Sequence, residues 1–552
     1  DGRSLAFTIR TGDGYEFTFG DSIVSREKTI SRVLMDECPD EGSSAGNLSD
    51  WTDNTWRLTK IKAPNGRTVT FNYKTVPTIA PTVSYSYSTH TSLVSSSSMS
   101  QSDDSVPSWQ KTILNYGYSY PLSSVEITGA DGTDCAVIEL QWRERKSGES
   151  ECQASNYANG QLVASRIKNS PMNFQEVALK SIYVFDESHN NVEYLLFNQS
   201  SIGGSGASRM ILESVFSLRK GDWNFTYDNG TGVLPEYDSR MHDVWGYWNG
   251  TYIDPRHIPV MQENTDILST FIPDLAKQRT GALIRVGYPT AGYSEISYEQ
   301  NSIERALHFN DTDRPGMKTF RMNVGGIRVS GIKDYTLEKM VFARTYEYSG
   351  GETCNLHYVN FEASYIKHWG GLMQSRNKLK SEFFSNNLAS VGSYDTNVGY
   401  KSVRERYPDG SFIDNCFMTY EDYGDEYFVS LWPVWKDAST SSSITDVEDI
   451  GGGSKMLPAL ASPQVIYGDF RGKEKSVVEY NAFGHKLRSV EYYYAPRPGI
   501  IEHRYFNMLT GWIDFDQTRF YPLLCRVLNT VYEPGTGVDS GLETSVVYAY
   551  NN

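Results

Sequence analysis

Cysteine is scarce in this chain, with 6 residues among 552, and no two of them form a C-x-x-C pair. The sequence therefore favours neither a zinc ribbon nor a dense disulfide framework. Buried free thiols are predicted, while a bridge between Cys135 and Cys152, which would close a short loop, stays open. The six residues are Cys38, Cys135, Cys152, Cys354, Cys416 and Cys525.

Long apolar runs are missing as well. No stretch approaches the roughly 20 residues that a membrane-spanning helix requires, so no membrane-spanning segment is predicted. The chain opens on Asp1-Gly2-Arg3 without a signal segment, which leaves a cytosolic protein or one whose targeting region has been removed. Acidic residues outnumber basic ones, and the formal net charge of -16 repels phosphate backbones, so nucleic acid is not expected as a partner.

Motifs that carry known chemistry are absent. The sequence contains no H-E-x-x-H, no G-x-x-x-x-G-K-[ST] and no G-x-G-x-x-G after a strand. The segment Gly203-Gly204-Ser205-Gly206-Ala207 departs from the G-x-S-x-G nucleophile elbow at its last position. The acidic groups at residues 311–313 and 514–516 do not spell a calcium-binding loop and are expected to cap turns. We predict no catalytic residue, no bound metal and no cofactor.

Aromatic residues are plentiful, at 13% of the chain with 38 Tyr, 24 Phe and 11 Trp, and this composition favours pleated sheets. The clearest local pattern covers residues 477–494. An alternating strand reaches Tyr480, a short polar turn closes on Gly484, and an aromatic-rich strand follows. This order of strand, turn and strand is typical of a β-hairpin.

The same pattern recurs at irregular spacing along the chain, whereas helical periodicity is weak and best at residues 266–279. The predicted fold class is all-β, an antiparallel β-hairpin meander with little helix that forms a shell or a large curved sheet. The predicted structural residues are turn glycines, which supply positive φ, and aromatic residues on the flanking strands. They are Gly66, Gly132, Gly292, Gly410, Gly484, Tyr73, Trp142, Tyr298, Tyr420 and Tyr480.

The turn from Tyr480 to Gly484, of the form Tyr-Asn-x-x-Gly followed by a basic and an aliphatic residue, resembles the tyrosine-aspartate (YD) repeat of RHS-type proteins. Residues 56–66, 243–250, 281–293 and 324–329 resemble the region that precedes the regular repeats in the large RHS-repeat proteins of Bacteroidota. The resemblance implies a hollow β-shell on a secreted or surface-displayed protein, around a toxin or effector. The chain lacks the family's long run of regular repeats and its self-cleaving core, so it is expected to be a piece of something longer.

This resemblance sets the predicted organisation and partners. Residues 1–438 are expected to form a β-rich, RHS-like shell region, 439–455 a Ser- and Gly-rich linker or insertion, and 456–552 a YD-like hairpin region. The predicted partners are the remainder of the same polypeptide or a toxin or effector payload, with secretion machinery or surface glycans as further partners. The predicted location is extracellular or the outer cell surface, with the signal region removed.

Two other functions stay open. Trp245, Tyr247 and Trp248 lie in the most aromatic neighbourhood of the sequence and are candidate glycan contacts of a cell-surface adhesin or carbohydrate-binding protein. The same neighbourhood holds His242 and His257 beside Asp243 and Asp254, a combination able to bind a divalent ion or move a proton. A β-rich polysaccharide-degrading enzyme would instead need two carboxylates facing each other across a groove.

Overall fold

The structure of this chain is a computed structural model. It describes residues 6–36, 52–95, 103–104, 109–146, 149, 176–203, 208–230, 234–235, 241, 243, 245–250, 273–308, 316–337, 339–353, 358–369, 373–385, 398–426, 465–507, 511–532 and 541–550.

Strands dominate these described residues and divide into a sheet of 21 strands and a sheet of 7 strands. In chain order they are β1 (Phe7–Arg10), β2 (Glu16–Phe19), β3 (Arg26–Asp36), β4 (Thr52–Trp56), β5 (Leu58–Lys62), β6 (Thr68–Tyr73), β7 (Thr78–Ser95), β8 (Asp103–Asp104), β9 (Trp109–Ser119), β10 (Leu122–Thr128), β11 (Asp134–Glu144), β12 (Val177–Asp186), β13 (Asn191–Ile202), β14 (Arg209–Ser217), β15 (Gly221–Tyr227), β16 (Leu283–Gly287), β17 (Gly292–His308), β18 (Gly316–Thr336), β19 (Lys339–Thr353), β20 (Tyr358–Trp369), β21 (Met373–Ser385), β22 (Gly399–Arg406), β23 (Phe412–Phe417), β24 (Val465–Ile466), β25 (Glu474–Tyr480), β26 (Lys486–Asn507), β27 (Gly511–Tyr532) and β28 (Gly541–Val547).

In the larger sheet, here called the main sheet, the order of neighbouring strands is almost the same as their order in the sequence. Its neighbours run β1-β2-β5-β6-β10-β11-β12-β13-β14-β15-β16-β17-β18-β19-β22-β23-β25-β26-β27-β28, and every pair in this path is antiparallel. The two-residue strand β24 joins β27 by a short parallel pairing. The predicted antiparallel hairpin meander is therefore confirmed.

The strands of the second sheet lie in chain segments that connect two paired strands of the main sheet. β3 and β4 lie in sequence between β2 and β5, β7 to β9 between β6 and β10, and β20 and β21 between β19 and β22. These strands pair in the order β4-β3-β9-β7-β21-β20, with β8 on β7. The described part of residues 82–107 belongs to this sheet as β7 and β8.

The pairing of β7 with β21 indicates that the main sheet is curved. It runs from Ser86 opposite Ser385 to Ser95 opposite Arg376. The hairpins that contain these strands leave the main sheet at β6 and β19, which are ten strand-to-strand steps apart, or about 48 Å if the sheet were flat. Their direct hydrogen bonding favours a main sheet that curves and brings these positions closer together.

Helix is a small part of what the structure describes, as predicted. The α-helix α1 (Leu275–Gln278) lies within the predicted segment 266–279, and the Asp274 side chain caps it by accepting a hydrogen bond from the Lys277 N–H. Single 3-10 turns form at Ile23–Ser25 and Gly468–Phe470. Among the described residues, no helix is long and apolar enough to cross a membrane.

A buried ion pair joins Asp425 to Arg471, one on each side of the undescribed residues 427–464. The carboxylate of Asp425 accepts two hydrogen bonds from the Arg471 guanidinium, at 3.0 and 2.9 Å, and the two side chains are 3% and 0% exposed. Beside them, the backbones of Glu426 and Val465 exchange hydrogen bonds of 2.9 and 3.2 Å. We call the contacts of these four residues the Asp425 clamp.

Strands on the two sides of segment 427–464 are also neighbours, because β23 pairs with β25. The predicted linker 439–455 lies outside the described residues. The boundaries 1–438, 439–455 and 456–552 remain a prediction.

Candidate functional surface of the main sheet

One five-residue turn recurs along the main sheet. In it the N–H of the first residue donates to the carbonyl of the fifth, and the N–H of the fourth donates to the carbonyl of the first. The fourth residue has a positive φ, which glycine adopts without strain. The turns cover residues 11–15, 63–67, 129–133, 186–190, 243–247, 288–292, 407–411 and 481–485.

The predicted turn glycines take this fourth position in four cases, with φ of 86° at Gly66, 83° at Gly132, 87° at Gly410 and 79° at Gly484. Gly292 is different, and the expectation that it supplies the positive φ is corrected. That role falls to Ala291, at φ 63°, while Gly292 begins β17. A Cβ on Gly292 would lie 2.9 Å from a backbone oxygen of the neighbouring strand, so close strand approach explains the glycine.

Asn or Asp side chains reinforce most of these turns. Asn65, Asp131 and Asp409 each accept a hydrogen bond from the backbone N–H two residues further on, at 3.1, 3.1 and 2.9 Å. Hydrogen bonds from Thr133 lower the pKa of Asp131, and those from Ser411 lower the pKa of Asp409. Asn481 acts similarly, accepting from the N–H groups of residues 483 and 485 at 3.0 Å.

A second repeated feature joins the two strands of a hairpin. An aromatic side chain on or just after the second strand donates a hydrogen bond to a backbone carbonyl on the first, and we call this contact the aromatic lock. The locks are Tyr73 Oη to Leu58 O at 2.8 Å, Trp142 Nε1 to Leu122 O at 2.7 Å, Tyr227 Oη to Leu212 O at 2.9 Å, Tyr298 Oη to Leu283 O at 2.7 Å, Tyr348 Oη to Val329 O at 2.6 Å and Tyr550 Oη to Leu524 O at 2.8 Å. Burial raises the pKa of Tyr348 to about 12.

Three of the predicted strand aromatics, Tyr73, Trp142 and Tyr298, form such locks. Tyr480 instead stacks on Phe412 with ring centroids 4.5 Å apart. Tyr420 is not on a strand as predicted, because β23 ends at Phe417, and it lies in the following turn with its ring centroid 5.2 Å from the Arg471 guanidinium. Sequence reasoning missed the locks, although a leucine recurs 15 residues before Tyr73, Tyr227 and Tyr298.

We expect Tyr73→Phe to lower the free energy of unfolding by about 1 kcal/mol, because the variant keeps the ring but leaves the half-buried Leu58 carbonyl without its donor. Urea unfolding followed by tryptophan fluorescence measures this loss. Tyr15→Phe, at an exposed turn position, is the control. Equal losses in both variants would contradict a stabilising role for the lock.

The two faces of the first strands differ in polarity. Residues opposed in an antiparallel pair share a face, so the register collects side chains into rows across the sheet. One face carries an apolar row on β2, β5, β6, β10 and β11, made of Phe17, Ile61, Val69, Ile127 and Ala136. A parallel row on that face contains Phe71, Val125, Ile138 and Val184. The opposite face carries Thr18, Lys60, Thr70 and Glu126.

The side chains of these apolar rows, here called the apolar face, are all partly exposed. In a two-layer sandwich, residues on the inward face would be almost fully buried. Within the described residues the main sheet is therefore a single layer here. In this part of the described chain, the apolar side of the main sheet therefore keeps some access to water.

Two buried carboxylates in the described part of the chain are held by arginine side chains. Glu352, which is 0% exposed, accepts from the Tyr420 N–H at 2.6 Å and lies 3.2 Å from Arg305. Glu149, at 3% exposed, is held by two hydrogen bonds from Arg143 at 2.6 and 3.0 Å. No group of three side chains suited to hold a metal ion is found among the residues described.

Asp243 is buried and belongs to the recurrent turn of residues 243–247. Its Oδ1 accepts from the backbone N–H groups of Trp245 and Tyr247 at 3.0 and 2.9 Å, and its Oδ2 accepts from Gln278 Nε2 at 2.7 Å. Burial raises its pKa to about 7, and the hydrogen bonds offset only part of that rise. The turn packs on Gly325, where a Cβ would lie 2.6 Å from Asp243 Oδ2.

The candidate glycan contacts differ in exposure. Trp245 is 6% exposed and packs inside the turn, so its ring is not presented to a ligand, whereas Tyr247 is 38% exposed and Trp248 is half-buried. His242, Asp254 and His257 lie outside the described residues. The predicted pairing of histidine with carboxylate therefore remains a prediction.

No family model matches the chain, and no curated protein matches it. Among solved structures, the N-terminal domain of the effector protein SpvB from Salmonella typhimurium strain LT2 is 11% identical at a TM-score of 0.16, with 39% of this chain and 60% of that domain covered. A porin-like protein from Bacteroides uniformis is 9% identical at a TM-score of 0.14, with 65% and 95% covered. Such low TM-scores do not establish a shared fold.

Proposed function

We propose that this chain is a noncatalytic wall segment of a secreted or surface-displayed protein of the RHS/YD type. The main sheet encloses, displays or helps to export an effector or toxin region of the same polypeptide. The observation that carries this proposal is the apolar face, a broad, partly exposed apolar surface on a single-layer sheet. A surface of this kind is stabilised when another polypeptide segment lies against it.

The construction of the sheet supports a mechanical role. Recurrent turns and aromatic locks fix many of the hairpins locally, so these hairpins depend little on a core beneath them. The opposite face of these strands carries polar side chains such as Lys60 and Glu126, which water can solvate. The wall thus presents one face to water and the other to an enclosed segment.

Binding of a non-native polypeptide tests the proposal. The probes are the dye ANS and a reduced, carboxymethylated polypeptide that has no fold of its own. We expect both to bind the full chain, and binding to fall severalfold in the triple variant Ile61→Thr, Val69→Thr, Ile127→Thr, which retains β-branched residues in the strands.

Lys60→Thr with Glu126→Thr, on the opposite face, is the matched control and is expected to bind as the unmodified chain does. Circular dichroism establishes that each variant keeps its strands. If the chain binds neither probe, or if the triple variant and the control bind equally, the apolar face is not an enclosing surface and the proposal fails.

A further inference from the structure

The hairpin turns at one end of the main sheet carry exposed apolar side chains. The hairpins β14–β15, β16–β17, β18–β19, β22–β23 and β25–β26 are successive neighbours, and because each pairs antiparallel with the next, their turns lie along the same end. Four turns contain a large exposed apolar residue, namely Leu218 at 48% exposed, Tyr288 at 42%, Leu337 at 79% and Phe483 at 85%. We call these four residues the apolar rim. The turn of β22–β23 carries Asp409 instead.

The needs of the turns do not explain the rim. Turns favour Gly, Asn, Asp, Pro and Ser, whose backbones or side chains suit them. Leu337 adopts a φ of 47°, which strains a leucine, and it contributes little to packing because it is so exposed. The earlier turns at the same end, of β5–β6, β10–β11 and β12–β13, contain Asn65, Asp131 and Glu187 and no large apolar residue. Single exposed apolar residues are ordinary, but their concentration on successive turns indicates a contact surface.

Neighbouring turns of the rim are close together. A Cβ on Gly221 would lie 3.1 Å from the Pro289 Cβ, and one on Gly410 would lie 3.3 Å from the Ala482 Cβ. Because each turn is two strands away from the next, the rim residues are about 10 Å apart along the sheet. The rim is therefore a row of separate apolar side chains and not a continuous patch.

Basic side chains stand beside the rim. Arg219 and Lys220 follow Leu218, Lys339 follows Leu337 by two positions, and all three basic residues are exposed. An apolar side chain next to a cation suits the surface of a phospholipid bilayer. The apolar group enters the boundary of the acyl chains, while the cation stays at the level of the lipid phosphates.

The hairpin β18–β19 has exposed apolar side chains on both faces next to its turn. Met340 opposes Tyr335 on one face, and Phe342 opposes Asp334 on the other. Met340 and Phe342 are 49% and 39% exposed. A folded protein partner packs closely against a continuous patch on one side. A fluid lipid layer can contact both faces of a hairpin and close around side chains that stand apart, so these observations favour lipid.

We propose that the apolar rim docks this chain onto the surface of a phospholipid bilayer. Leu337 and Phe483 enter the boundary of the acyl chains, and Lys339 lies at the level of the phosphates. The target is a zwitterionic bilayer, because its headgroups offer phosphates without the negative surface potential that would repel a chain of net charge -16. The rim lies on turns and does not include the apolar face, so this docking is independent of the proposed enclosure.

Cosedimentation with phosphatidylcholine vesicles tests the proposal. We expect the full chain to bind, and the double variant Leu337→Asn, Phe483→Ser to bind more weakly by about tenfold or more, because burial of one such side chain alone can supply that factor. Both new residues suit turns, and circular dichroism checks that the strands are kept. The matched control, Ile23→Asn with Val76→Ser, removes two exposed apolar side chains beyond the opposite ends of β2 and β6 and should bind as the unmodified chain does.

Phe483→Trp tests whether the rim itself enters the bilayer. This variant keeps an aromatic side chain and should still bind, and vesicles with brominated acyl chains should quench the tryptophan that it adds. The triple variant of the apolar face, Ile61→Thr, Val69→Thr, Ile127→Thr, should bind vesicles normally, which separates this result from the test of the enclosing surface.

Three results would overturn the proposal. They are absence of vesicle binding by the unmodified chain, equal binding by the rim double variant and its matched control, and loss of vesicle binding in the triple variant alone. The first of them would assign the rim to a protein partner, and the last would assign lipid binding to the apolar face.

Discussion

Replacing Arg471 by methionine is expected to lower the free energy of unfolding by roughly 3–5 kcal/mol. In the native chain the Arg471 guanidinium forms two hydrogen bonds with Asp425, and both side chains are almost inaccessible to water. Burial raises the pKa of Asp425, and the charge and hydrogen bonds of Arg471 counteract that rise. Without the guanidinium, the buried carboxylate must either remain charged without its cation or take up a proton.

Chemical denaturation at neutral pH measures this loss, and two further variants interpret it. Arg404→Met removes an arginine that pairs with Asp414 at a partly exposed site, and it should cost no more than about 1 kcal/mol. The double variant Asp425→Asn, Arg471→Met should recover part of the stability, because it removes the buried charge together with its partner. A loss in Arg471→Met no larger than that in Arg404→Met would show that the pair does not stabilise the fold.

The Asp425 clamp also shows what the sequence could not reveal. Asp425 and Arg471 are separated by 46 positions, and they meet because β23 pairs with β25 and because Glu426 and Val465 exchange backbone hydrogen bonds. Neither residue lies in a motif or at a periodic position. A contact between residues that are distant in sequence leaves no local pattern in the sequence. The pairing of β7 with β21, which also joins distant segments, is a second example.

Local features were more accessible to sequence reasoning. The turns at Gly66, Gly132, Gly410 and Gly484 follow from glycine's tolerance of positive φ beside a polar residue. The same rule located the turn before β17 but assigned its positive φ to Gly292, whereas Ala291 adopts that φ and Gly292 allows close approach to its neighbouring strand. The alternation of apolar residues correctly indicated strands with two unlike faces. It did not indicate that the side chains of the apolar face stay partly exposed among the described residues.

The aromatic neighbourhood around residue 245 illustrates why residue type alone is ambiguous. Flat aromatic rings serve both as packing elements and as platforms for sugars. Here the turn of residues 243–247 buries Trp245 at 6% exposed, and it packs the Tyr247 ring on Gly325 and Gly326 while leaving Tyr247 38% exposed. The choice is made by the backbone of the turn and by the absence of a side chain at Gly325. Neither could be read from the aromatic residues themselves.

Asp243 should make the stability of the chain fall as pH rises from about 4 to about 7. Burial raises its pKa in the folded chain from an ordinary value of 3.8 to about 7. In this pH window the folded chain keeps a proton that the unfolded chain has released, so the stabilisation is fully present below about pH 4 and is lost as pH passes 7. Integrated over the window, the effect of a single group amounts to at most roughly 4 kcal/mol.

Denaturant unfolding of the unmodified chain and of Asp243→Asn, measured from pH 4.5 to 8, isolates this group. The asparagine keeps a carbonyl oxygen for the N–H groups of Trp245 and Tyr247 but cannot ionise. The variant should therefore gain stability relative to the unmodified chain as pH rises, until the difference levels off above pH 7. Asp186→Asn is the matched control, because Asp186 occupies the same position in an exposed turn and hydrogen bonds from Asn190 lower its pKa. The difference in free energy of unfolding between Asp186→Asn and the unmodified chain should be constant over this range. If the difference for Asp243→Asn is constant too, Asp243 stays ionised in its buried site and the prediction is wrong.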